Sequence, residues 1–93
     1  MKFVVHCKRE PYDVYIGRPS IWGNPFRIGE HGMSREDVIE AYRNWINAPL
    51  QEPLRARARR ELKGKILGCY CAPQKCHGDI LTEVANGWPR NQE

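Results

Sequence analysis

The 93-residue chain has no apolar run approaching the roughly 20 residues that a membrane-spanning helix needs, which argues against a membrane protein. The first stretch, MKFVVHCKRE, turns charged after five residues and does not read as a secretory signal, so a cytoplasmic location is expected. The phosphate-binding pattern G-x4-G-K-[ST] is missing, as is the dinucleotide fingerprint G-x-G-x2-G, so neither standard nucleotide loop is available. Paired C-x2-C knuckles are lacking, which weakens a zinc-finger reading. No internal repeat and no low-complexity segment interrupts the chain, and the length leaves room for a single domain, 1–93, with a short tail from about residue 88.

What is present is ordinary globular material: 41% hydrophobic and 28% charged residues, with three tryptophans and four tyrosines, too aromatic for a disordered chain. The net charge is +4 and the isoelectric point about 9.0. That balance favours an anionic partner, either a nucleic acid or a phosphorylated small molecule. Much of the excess sits in RARARR at 55–60, and such runs usually cover a solvated helix face.

Local patterns divide the chain in the order ββααβα. KFVVHCK (2–8) and DVYIG (13–17) read as strands. An irregular loop with Gly17, Pro19, Gly23 and Pro25 runs on to about Gly32. Ser34 and Asp37 form an approximate capping box, followed by Val38, Tyr42, Trp45 and Ile46 at helical spacing. A second helix opens near Pro53 with Leu54, Ala58 and Leu62 four apart, and Gly64–Lys65 breaks it. KILGCYC (65–71) reads as a buried central strand. A third helix is expected over 79–86, with Ile80, Leu81, Val84 and Ala85 on one face and Gly87 as its C-cap, and Trp88 is expected to fold back onto the body. Strands interleaved with helices imply an α/β fold, a small mostly parallel Rossmann-like sheet packed by about three helices.

The two irregular stretches, IGRPSIWGNPF (16–26) and GCYCAPQKCHGD (68–79), are expected to meet and form one site, because ligands of open parallel sheets bind beyond the carboxyl ends of the strands. Arg18 offers a fork for phosphate or carboxylate, Trp22 a ring for stacking on a base, and Asn24 an amide. Gly17 and Gly23 shape that loop. Opposite them, Lys75 adds charge, and Gly78 lets a ligand approach amides of a helix N-terminus. His77 and Asp79 are candidate acid/base groups, Asp79 doubling as a helix cap. Cys76, beside His77 at a helix start, is a candidate nucleophile. If the protein is an enzyme, hydrolysis or transfer at a glycosidic or phosphate bond suits these groups best.

Two alternatives stay open. Zinc could bind Cys69 and Cys71 with Cys76 or His77 and a fourth ligand from His6 or Cys7, but the C-x-C-x4-C-H spacing is atypical, and the favoured reading has no metal, with Cys69 and Cys71 as small core residues. The basic run Arg55, Arg57, Arg59 and Arg60 could instead contact nucleic acid, in which case binding would weaken steeply with salt.

EPYDVYIGRPSIWGNPF, REDVIEAYRNW and LKGKILGCYCAPQKCHGDILTEVAN together resemble the domain-of-unknown-function family 4326 of small bacterial and phage proteins. Its two signatures, G-R-P-S-x-W-G-N-P-F and C-x-C-x-P-x2-C-H-G-D-x-L, stand intact here. The C-H ending is also similar to that of a second uncharacterised α/β group with a C-H-R pattern, in which His77 matches and Gly78 replaces the arginine. The resemblance implies an α/β layout and no particular reaction.

Overall fold

The computed structural model describes residues 3–72 and 74–87; the expectations for the tail and Trp88 fall outside them. Three short strands, β1 (Val4–His6), β2 (Val14–Tyr15) and β3 (Leu67–Cys69), make one open sheet in the order β1-β3-β2. Both pairings are parallel, with Val5 and Tyr15 each opposite Gly68. The central place of β3 follows from its sequence, since Leu67, Gly68 and Cys69 carry nothing that needs water and all three are buried.

A crossover between parallel strands normally takes a dozen or more residues. Here residues 7–13 carry the chain from one edge of the sheet to the other, which is feasible because the strands are only two or three residues long. The middle of β3 must also lack a side chain. A Cβ on Gly68 would sit 2.6 Å from Tyr12 Cγ, so the Tyr12 ring lies directly on the strand.

Helices α1 (Arg35–Ile46), α2 (Glu52–Glu61) and α3 (His77–Asn86) supply the rest of the core. The capping box read from the sequence is present: Asp37 N donates to Ser34 Oγ at 3.2 Å and Ser34 N donates to Asp37 Oδ2 at 2.9 Å. Val38, Tyr42 and Ile46 of α1, Ala58 on α2, Leu62 at its C-cap and Ile80, Leu81 and Ala85 of α3 are buried. All but Val38 belong to one cluster with Ile16, Trp22 and Leu67.

Helix α3 begins two residues earlier than expected. Its N-cap is Cys76, whose sulfur accepts the Gly78 N–H at 3.3 Å, while Asp79 Oδ2 accepts the Cys76 N–H at 3.3 Å. Cysteine is not among the strong capping residues, so sequence pattern placed the cap at Asp79 instead. The helix ends as expected at Gly87, with φ of 70°.

Candidate functional site

The two irregular stretches meet. His77, in the first turn of α3, reaches the end of β2, with Nε2 2.8 Å from the Ile16 carbonyl. A carbonyl only accepts, so Nε2 carries the proton. The ring is buried edge-on against Tyr42, centroids 5.1 Å apart, and burial is the main reason its pKa lies below the usual histidine value. His77 thus ties the opening loop to α3 in its neutral form.

Beyond the end of β3 lies a cavity of about 210 Å³. Its walls include Arg18 and Asn24 from the opening loop, Arg35 from the first turn of α1, and Lys75 and Cys76 from the second loop. Tyr15, Phe26 and Tyr70 add aromatic surface. Three cations therefore converge on one pocket with no carboxylate among its described lining residues. None of the three is within ion-pair distance of a described carboxylate.

The loop is built to present Arg18. Tyr15 Oη donates to the Arg18 carbonyl at 3.0 Å, and Arg18 Nη1 donates to the Asn24 carbonyl at 3.0 Å. A side chain on Gly23 would run into Arg18 Cγ at 2.9 Å, and one on Gly17 would collide with the Tyr15 ring, so both glycines allow close packing. Asn24 spans the loop: Nδ2 donates to the Val38 carbonyl at 3.1 Å and Oδ1 accepts from Phe26 N at 2.9 Å.

Other sequence candidates lie elsewhere. Trp22 is buried in the core, its carbonyl accepting from Tyr42 Oη at 3.0 Å, and it is not among the pocket's lining residues. Gly78 is buried rather than facing a ligand; a Cβ there would meet Val4 Cγ1 and Ile16 Cδ1, each at 2.9 Å, and its amide is engaged by Cys76 Sγ. Asp79 caps its own helix and borders a different groove, with Glu36 and Glu40. Of the basic run, Arg55 donates to the Ile46 and Ala48 carbonyls and to Glu52, Arg57 pairs with Glu61 at 2.6 Å, and Arg59 pairs with Glu52 at 3.0 Å. Arg60 is exposed.

The cysteines converge as well. Cys69 Sγ and Cys76 Sγ are 3.1 Å apart and buried, and Cys71, half-buried, lines the same cavity. Bonds from those two thiols, and then the Arg35 guanidinium, hold the Cys71 thiol far below the usual range. Its neighbours' thiol groups and burial push Cys76 far up. The three thiols titrate together, with Cys71 held low and Cys69 and Cys76 held high. Sequence reading chose Cys76 as the candidate nucleophile and treated Cys71 as core; it also gave Arg35 no role. The 3.1 Å sulfur contact is shorter than the roughly 3.8 Å separating thiolates on tetrahedral zinc. Among the described residues no group of three or more His, Cys, Asp or Glu side chains is placed to hold a metal ion. No helix of the described residues is long and apolar enough to cross a membrane.

Comparison with known proteins gives a family and no activity. An uncharacterized 12.4 kDa protein from the nrdA-td intergenic region of Enterobacteria phage T4 is 36% identical over 84 residues, covering 89% of this chain and 76% of the phage protein. No solved structure matches significantly. The family model of the domain of unknown function DUF4326 matches residues 5–87, and the chain belongs to that family.

Proposed function

We propose that the pocket beyond β3 binds a small phosphorylated molecule, a mononucleotide or sugar phosphate, through Arg18, Arg35 and Lys75. The observation that carries this reading is the convergence of three cations without a carboxylate among the described lining residues. In a partly enclosed, half-apolar site such charges act at lower effective dielectric than in water, and an arginine fork can hold phosphate oxygens in pairs. The amides at the start of α3 contribute less than the sequence suggested, because those of Cys76 and Gly78 are already engaged by Asp79 and by the Cys76 sulfur. A cavity of about 210 Å³ lies below the roughly 300–1,000 Å³ of drug-sized pockets. It suits a phosphorylated sugar, with any base resting on Tyr15, Phe26 or Tyr70 at the walls, and is too small for a dinucleotide.

Titration calorimetry with inorganic phosphate, ribose 5-phosphate, AMP and adenosine tests this. AMP should bind and adenosine should not. Arg35→Ala should weaken AMP binding at least about tenfold, as expected for loss of a hydrogen bond to a charged group worth roughly 1.5–3 kcal/mol. Equal affinity for AMP and adenosine, or an Arg35→Ala protein that binds AMP as tightly as the parent, would rule the reading out.

A further inference from the structure

The phosphate reading leaves the three sulfurs of the pocket without a task. Cys69 closes β3, Cys76 caps α3, and Cys71 stands between them on the pocket wall beside Arg35. The fourth cysteine, Cys7, lies in a separate groove with Lys8 and Pro19. We propose that Cys71 is a thiol–disulfide exchange site for small anionic disulfides, with Cys76 as the resolving thiol.

The geometry separates the roles. All three thiols line the cavity, but Cys69 and Cys76 are buried, whereas Cys71 is half-buried and meets a reagent first. The cations that line the cavity attract a disulfide bearing carboxylates and place it beside Cys71. The Cys71 thiolate attacks one sulfur of the disulfide RSSR. The S–S bond breaks, RS⁻ leaves and takes a proton from water, and a mixed disulfide remains on Cys71. That step removes the contact with the Cys71 thiol, which, after the Cys69 thiol, is one of the causes that hold Cys76 protonated. The Cys76 thiol then loses its proton to water, with the Gly78 N–H on its sulfur stabilising the thiolate. It attacks the Cys71 sulfur and expels the second RS⁻. Two protein thiols are oxidised to one disulfide, and RSSR is reduced to two RSH. Cys76 takes the resolving role because its sulfur sits at the N-terminus of α3 and accepts the Gly78 N–H, a position that favours a thiolate.

The test treats the full-length protein with glutathione disulfide, followed by acid quenching, intact mass and peptide mapping. The parent should lose two hydrogens and yield a Cys71–Cys76 cross-link. Cys76→Ser, which keeps a good helix cap, should trap one glutathione on Cys71. In that variant, capture at pH 6 should be at least about tenfold faster at Cys71 than at Cys7, since the thiolate is the attacking species. Arg35→Ala should slow capture of glutathione disulfide more than capture of uncharged hydroxyethyl disulfide. First modification at Cys7, a cross-link joining Cys69 to Cys76 with Cys71 free, or a zinc ion co-purifying on the three thiols would each overturn the proposal. None of these outcomes bears on AMP binding, so the two readings fail independently.

Discussion

At the scale of single residues, His77 decides how the site is held. Its Nε2–H on the Ile16 carbonyl fixes the end of β2 against α3, and the buried ring resists protonation. An unfolded chain takes up a proton on this ring near pH 6.5, whereas the folded chain does so only at lower pH. The folded state therefore holds its full stability above about pH 6.5 and loses part of it as pH falls towards the lower folded pKa. Urea midpoints measured from pH 7.5 to 5 should decline for the parent. His77→Gln retains a donor and cannot titrate, so its profile should be flatter over that window. An equally steep decline in both proteins would mean that other groups control the acid limb. Cys76 and Gly78, on either side of His77, have packing duties that a sequence cannot display. One is a sulfur acting as a helix cap, the other a missing side chain that lets α3 close onto Val4 and Ile16.

At the scale of elements, α2, the alternative surface for nucleic acid, carries pairs within the protein at Arg55, Arg57 and Arg59. Arg55 is the least exposed of its arginines; it closes the end of α1 through the Ile46 and Ala48 carbonyls and also meets Glu52. Arg55→Ala should cost about 1.5–3 kcal/mol, the range for hydrogen bonds involving a charged group. Arg60→Ala, at an exposed position, should stay within about 0.5 kcal/mol of the parent. Chemical denaturation of the two variants would check the contrast, and equal effects would show that the Arg55 bonds contribute nothing net. The same contrast marks what the sequence could tell. The α1 boundary was legible because a capping box is local, made by Ser34 and Asp37 three residues apart. The partners of Arg55 lie seven and nine residues away across a turn, and the convergence of Arg35 with Lys75 spans forty residues. Composition has no signal for either. Trp22 was ambiguous for a similar reason: it is buried in a core cluster with Tyr42, Leu67 and Leu81, residues distant along the chain.

For the whole molecule, the parallel order with β3 in the centre and the meeting of the two loops followed from strand–helix alternation, a rule of topology rather than of residue type. The radius of gyration, 12.5 Å, is close to the roughly 12 Å of a folded domain of this length, so the irregular segments are packed onto the body. A domain this small has a thin stability margin and a small unfolding entropy. Each kcal/mol of added stability therefore raises its melting temperature by about 4–8 °C. A ligand held only by the folded state, at a hundred times its dissociation constant, adds about 2.7 kcal/mol. AMP at that level should consequently raise the melting temperature by roughly 10–20 °C. The shift should shrink in Arg35→Ala, where the melting temperature without ligand should remain near that of the parent, because the bond from that side chain to the Lys75 carbonyl is a long 3.4 Å contact. Alanine at Arg57 and Arg60, two exposed positions of α2, should leave the AMP shift intact. If those two substitutions abolish it and Arg35→Ala does not, the anion sits on the helix face and the pocket beyond β3 is not its site.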